Sequence, residues 1–103
     1  MKKVINGRLY NTETAQKIEE YWNGYGSSNF DFCKEVLYKT KNGRYFLHGE
    51  GGAASKYASH SGRNLDAGDQ ISEFTRRDAM EWLSENDFVE TIEKEFSDLI
   101  EEA

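Results

Sequence analysis

The sequence predicts an α+β domain in which a small antiparallel sheet carries its helices on one side. Three observations carry this. Two Asn-Gly pairs, Asn6-Gly7 and Asn42-Gly43, are each flanked by strand-like runs. Apolar residues recur at helical spacing near residues 12–22, 75–85 and 88–101. The chain has 103 residues and no Pro. That length suits a single domain spanning residues 1–103, because two cores would each be too small to hold themselves together.

Lys3-Val4-Ile5 and Arg8-Leu9-Tyr10 form the first hairpin, since Asn-Gly supplies the two positive-φ residues of a type I′ turn. Asn11 and Thr12 then offer N-cap oxygens, and Ala15, Ile18, Trp22 and Tyr25 follow at helical intervals. The reading is a helix over about Thr12–Trp22, stopped by Asn23-Gly24. Tyr25–Asp31 is a loop. The second hairpin pairs Lys34–Lys41 with Arg44–His48 across a two-residue turn. Lys39 then lies opposite Phe46 and Leu37 opposite His48, while Thr40–Tyr45 and Tyr38–Leu47 form the more apolar, core-facing side. Gly49-Glu50-Gly51-Gly52 closes it. Ala53–His60 reads as one or two helical turns and Ser61–Asp69 as loop. Gln70–Phe74 alternates as a further strand. Thr75-Arg76-Arg77-Asp78 is a capping-box variant leading a helix through Ala79, Trp82 and Leu83. Asn86-Asp87 interrupts it, and Val89, Ile92, Phe96 and Leu99 mark a last helix over about Phe88–Glu101. The expected order is β-β-α-β-β-β-α-α.

Composition narrows the function. The net charge is −6, with 13 Lys+Arg against 19 Asp+Glu, and the pI is about 4.9. The charge is uneven: residues 1–72 carry ten basic and eight acidic side chains, residues 73–103 three basic and eleven acidic. An acidic chain does not seek phosphate backbones non-specifically and suits a basic partner. The acidic stretch reads either as a solvated helix face or as a surface offering carboxylates to a basic groove. Its candidate residues are Glu81, Glu85, Glu90, Glu93, Asp98, Glu101 and Glu102. No apolar run approaches the roughly 20 residues of a membrane span, and the N-terminus lacks a signal-peptide core, so a cytoplasmic location is expected. One cysteine, Cys33, excludes an internal disulfide and reads as a buried thiol.

The remaining motifs are weak. Gly49–Lys56 lacks the Gly-Lys-Ser/Thr ending of a phosphate loop. His48, His60, Glu50, Asp66 and Asp69 show no ligand spacing, and no nucleophile–base–orienter set is present, so no cofactor, metal or catalysis is expected. A hydrolase site near His48 and Glu50 ranks last. Lys39, Lys41 and Arg44, beside Tyr38 and Tyr45, have the ingredients of a nucleic-acid contact and equally of an ordinary charged strand tip. Tyr21, Trp22, Tyr25, Phe30 and Phe32 are dense, and any left exposed would be interface anchors. The stripe of the last helix could pack on its own sheet or on a second copy in a homodimer.

Lys2-Lys3-Val4-Ile5-Asn6-Gly7-Arg8-Leu9-Tyr10-Asn11-Thr12-Glu13-Thr14-Ala15 resembles the start of small phage and mobile-element proteins of Gram-positive bacteria. Tyr38–Leu47, Gly49–Ala53 with Ser55-Lys56-Tyr57, and Thr75-x-x-x-Ala79-x-x-Trp82-Leu83 are similar to their middle and end. Some of this group resemble anti-CRISPR inhibitors of type II effector nucleases. The resemblance implies a non-enzymatic inhibitor that binds a CRISPR effector nuclease, or its guide-RNA complex, in the bacterial host cell. An acidic member would place carboxylates where phosphates lie. The alternative is a nucleic-acid-binding accessory protein using Lys39, Lys41 and Arg44.

Overall fold

The computed structural model describes residues 1–103. It is an α+β fold of eight strands, two helices and one 3-10 turn. The central sheet is antiparallel, in the order β3-β4-β5-β8, from β3 (Gln16–Trp22), β4 (Cys33–Lys39), β5 (Tyr45–Gly51) and β8 (Gly68–Phe74). Two small hairpins flank it: β1 (Lys2–Ile5) with β2 (Arg8–Asn11), and β6 (Ser59–Ser61) with β7 (Asn64–Asp66). After β8 come α1 (Arg76–Glu85), α2 (Val89–Glu95) and the 3-10 turn Ser97–Leu99. No helix is long and apolar enough to cross a membrane.

Alternation along the central strands feeds two cores, one on each face of the sheet. Leu37, Tyr45 and Leu47 point to one face and pack against Ala79, Trp82, Leu83, Ile92 and Phe96 of the helices and the residue that ends α2. Phe46 and Ile71 point to the other and pack with Tyr10 of the β1–β2 hairpin. Phe46 stacks on Tyr38, its cross-strand partner, at a centroid distance of 5.0 Å and meets Tyr10 at 5.3 Å. Both faces are therefore covered, one by the chain before the sheet and the other by the chain after it.

The β1–β2 turn has Asn6 at φ 52° and Gly7 at φ 77°, with Ile5 paired to Arg8. At α1, Thr75 Oγ1 accepts from the Asp78 amide and Asp78 Oδ2 from the Thr75 amide, a complete reciprocal cap. The helix ends in a Schellman arrangement: the Phe88 amide reaches the Leu83 carbonyl, the Asp87 amide reaches that of Ser84, and Asp87 sits at φ 61°.

Several expectations are corrected. Thr12–Trp22 is not a helix: it is a turn followed by strand β3. A β-bulge between Lys17 and Glu19 explains the error. The extra residue leaves Ile18 and Tyr21 both against the helix-side core, and Lys17 and Glu20 both on the opposite face, where they form an ion pair of 2.7 Å. A bulged strand thus mimics the three-residue step of a helix. The second hairpin has a three-residue loop in place of the two-residue Asn42-Gly43 turn. The Gly43 amide bonds the Thr40 carbonyl, and only Gly43, at φ 82°, is left-handed. That is a type I turn with a G1 bulge. The register consequently slips by one: Lys39 pairs with Tyr45, Tyr38 with Phe46 and Leu37 with Leu47. Tyr38 and Leu47 face opposite cores, and Lys39 turns toward the helices.

Gly49 and Gly51 belong to β5. Ala53–His60 has no helix, only turns leading into β6, and the expected Ser61–Asp69 loop holds the turn of the β6–β7 hairpin, around Gly62 at φ 62°, strand β7 and the start of β8. The expected Phe88–Glu101 helix stops at Glu95. Phe96 leaves helical φ and ψ to enter the core, and Ser97–Leu99 form a single tighter turn. Ile92 and Phe96 are buried on this chain's own sheet.

Candidate functional site

Only 17 of 103 residues are buried, so much of the interlayer attachment is polar, and its centre is Glu35. This carboxylate, 5% exposed, faces the helices from β4. It accepts from Trp82 Nε1 at 3.1 Å, from Lys56 Nζ at 2.9 Å and from the Tyr57 hydroxyl. Burial pushes its pKa up, but the three donors outweigh it and hold the carboxyl below its ordinary value. Burial, then the bond to Glu35, pushes the Tyr57 phenol up, and the bond to Glu35 raises the Lys56 ammonium. Each group is driven toward its resting protonation state. The three contacts tie the loop that carries Lys56 and Tyr57, strand β4 and helix α1 to one carboxylate, so the node acts as a lock joining loop, sheet and α1. Beside it lies an open cleft of about 440 Å³ whose walls include Lys56, Tyr57, Trp82, Glu81 and Glu85.

The glycines seat this loop. A Cβ on Gly49 would overlap the Tyr57 ring, and one on Gly52 would overlap the carbonyls of Asn29 and Phe30. Close approach accounts for two of the glycines that suggested a phosphate loop.

Other carboxylates are engaged in the same way. Glu73 holds the first hairpin through the Tyr10 hydroxyl, Asn6 Nδ2 at 3.3 Å and Arg8 at 3.6 Å. Glu95 accepts from Tyr45 at 2.8 Å and Lys39 at 3.2 Å. Glu19 accepts from Thr91 at 2.7 Å. Asp98 takes a two-pronged contact from Arg76 at 2.7 and 2.8 Å, which lowers its pKa. His48 Nε2 lies 3.3 Å from Asp69. The Cys33 thiol is half-buried, and burial followed by the Glu35 charge raises its pKa, away from thiolate chemistry.

The basic and acidic candidates separate accordingly. Lys39 is tied to Glu95, leaving Lys41 and Arg44 exposed at the hairpin tip. Of the acidic candidates, Asp98 is joined to Arg76. Glu81, Glu85, Glu90, Glu93, Glu101 and Glu102 are exposed with no hydrogen-bond or ion-pair partner within the fold. His60 and Glu50 are 10 residues apart on different strands, and no three of His, Cys, Asp and Glu converge as metal ligands. Phe32 is buried and Tyr21 half-buried, whereas Trp22, Tyr25 and Phe30 stand exposed.

Sequence reasoning missed the Glu35 node. Its signal was present in period-two alternation: Glu35 precedes Leu37 by two, so a core-facing Leu37 forces a core-facing carboxylate that must find donors. No family model, curated protein or solved structure matches the chain.

Proposed function

We propose that this protein is a non-enzymatic inhibitor that binds a CRISPR effector nuclease by presenting its acidic helical end to a basic nucleic-acid channel. The observation that carries the proposal is the division among carboxylates in the last third of the chain. Glu73, Asp78, Glu95 and Asp98 are consumed in holding the fold. Glu81, Glu85, Glu90 and Glu93 stand exposed and unpartnered on α1 and α2. Unpaired charge on neighbouring helices destabilises them slightly by mutual repulsion, and a basic partner relieves that repulsion on binding. The sequence resemblance supplies the target class.

The test is capture of a type II effector nuclease, with and without guide RNA, across a salt series. Binding that weakens steeply with salt is expected. The triple variant Glu81→Lys, Glu85→Lys, Glu93→Lys should abolish it while melting as the wild type does. Absence of binding at low salt to either form of the nuclease, or undiminished binding by the triple variant, removes the proposal. Oligonucleotide binding lost on Lys41→Glu, Arg44→Glu would favour the basic tip instead.

A further inference from the structure

Helix α1 packs Ala79, Trp82 and Leu83 onto Leu37, Tyr45 and Leu47 of the two inner strands. Strand β8 lies beyond them at the edge of the sheet. Its Ser72 is paired with Leu47 and its Phe74 with Tyr45, so Gln70, Ser72 and Phe74 turn to the same face as the helix. The open cleft of about 440 Å³ lies between the two. Those three residues form its floor, the α1 stripe of Asp78, Glu81, Trp82 and Glu85 its wall, and Lys56 and Tyr57 a third side. Its size is that of a small-ligand site, roughly 300–1,000 Å³.

The polar groups around it are mostly spent. Trp82 Nε1 donates to Glu35 at 3.1 Å, Gln70 Nε2 donates to Ser72 Oγ at 3.3 Å, and Asp78 Oδ2 accepts from the Thr75 amide at 2.9 Å. Lys56, the one cation of the lining, reaches Glu35 at 2.9 Å and lies 5.5 Å from the centre of the Tyr57 ring. Glu81 and Glu85 alone keep unpaired charge. Both are exposed, and no hydrogen bond or ion pair reaches either. They stand one helical turn apart, with Cβ atoms roughly 5–6 Å from each other, a like-charge pair that weakens a helix.

The lining selects its occupant. It carries four carboxylates, Glu35, Asp78, Glu81 and Glu85, to one ammonium, so an anion or a phosphate backbone is repelled. No three of His, Cys, Asp and Glu converge as metal ligands. Apolar surface on Phe74 and Trp82 beside two free carboxylates fits a cation on an apolar stem. Of the side chains of that kind, arginine fits better than lysine. Its guanidinium is planar and weakly hydrated and carries five donors, so it can lie against a ring and serve two carboxylates at once. A second copy is the poorer source, because two chains of charge −6 repel each other.

We infer that the cleft between α1 and β8 is a socket for an arginine side chain of the partner protein, its stem on Phe74 and Trp82 and its guanidinium between Glu81 and Glu85. This rests on the proposed function for the class of the partner, and it gives two of the acidic side chains a specific contact in place of a general field.

The test has two arms. In the first, the folded protein is titrated with N-acetyl-arginine methylamide and followed by nuclear magnetic resonance. The Trp82 indole N–H reports on the cleft, and that of Trp22, which donates to the Tyr25 carbonyl, is the internal reference. A saturable shift of the Trp82 signal alone is expected, at the roughly millimolar level of a single side chain. The citrulline derivative, an uncharged isostere, should give none, and the lysine derivative should bind several-fold more weakly. Glu81→Gln, Glu85→Gln should weaken arginine binding about 10-fold or more. Glu90→Gln, Glu93→Gln removes the same charge from α2, outside the cleft, and should leave it unchanged. No saturable shift, an equal shift from citrulline, or an equal loss in the two variants overturns the socket, and the citrulline comparison needs no variant to fold. Equal binding of lysine overturns the choice of arginine. Self-association in sedimentation that is lost on Glu81→Gln, Glu85→Gln overturns a foreign partner. In the second arm, dissociation from the type II effector nuclease is timed. The cleft variant should leave about 10–100-fold faster, while the α2 variant should only slow association. Equal effects of the two variants overturn the socket and leave the proposed function standing. A nuclease that binds no form of the protein ends the proposed function, and the arginine titration still decides the cleft.

Discussion

Replacing Glu35 with Gln removes one negative charge and little volume, at a carboxylate that serves three donors. Gln presents one acceptor oxygen and an amide that is itself a donor, so the Tyr57 hydroxyl and Trp82 Nε1 compete for one partner. Hydrogen bonds to a charged group are worth about 1.5–3 kcal/mol and neutral ones about 0.5–1.5. Weakening one and orphaning another at a site 5% exposed gives a loss of about 3 kcal/mol. Lys56 adds little, because its side chain is 65% exposed and water replaces its partner. For a domain of this size the loss corresponds to a fall in Tm of roughly 12–24 °C. Thermal unfolding followed by circular dichroism at neutral pH reads this directly, with Lys56→Met as the control expected within about 1 kcal/mol of wild type. The acid limb gives a second reading. Glu35 is held below its ordinary value of 4.5, so the unfolded chain takes up the proton first as pH falls. Its contribution is complete above 4.5 and is lost as pH drops through the folded value. Glu35→Gln should flatten that part of the stability profile. A Tm within about 4 °C of wild type, an effect under 1 kcal/mol, would refute the lock, as would a Lys56→Met loss equal to that of Glu35→Gln.

Gly49→Ala should destabilise by about 1–3 kcal/mol, because its Cβ meets the Tyr57 ring. In urea unfolding the cost should be sub-additive with Tyr57→Ala, which empties the space. Asp87→Gly should raise stability by about 0.5–1 kcal/mol, since Asp87 sits at φ 61° at the negative end of α1. A lower urea midpoint would contradict this. Thr75→Ala should cost about 1 kcal/mol by opening the reciprocal cap, measured in the same titration.

What the sequence disclosed was chemistry that acts locally. Asn6-Gly7 dictates its own turn, and Thr75 with Asp78 dictates a helix start, whatever the rest of the chain does. Ile18 and Tyr21 misled because a bulge and a helical turn bring residues three apart onto one side, and only pairing with β4 distinguishes them. Asn42-Gly43 misled because one left-handed residue, not two, suffices for a three-residue loop. β6 and β7 carry no buried residue and hence no apolar pattern to read. The acidic end was visible by counting charges. Which of its carboxylates stay free was not, because Glu95 meets Lys39 and Tyr45 across more than 49 residues, a pairing that exists only once β5 and α2 have packed.

The three phenols that reach carboxylates across layers, Tyr10 to Glu73, Tyr45 to Glu95 and Tyr57 to Glu35, also set a limit in alkali. Burial, then the neighbouring carboxylate, raises each phenol above its ordinary value of 10.0. The unfolded chain therefore gives up those protons first, and the stability they contribute persists below pH 10.0 and drains away as pH climbs through the folded values. A phenolate facing a carboxylate would repel where the phenol attracts. The first hairpin, the Tyr57 loop and the second helix are each fastened by one such contact, so strong base should peel all three from the central sheet.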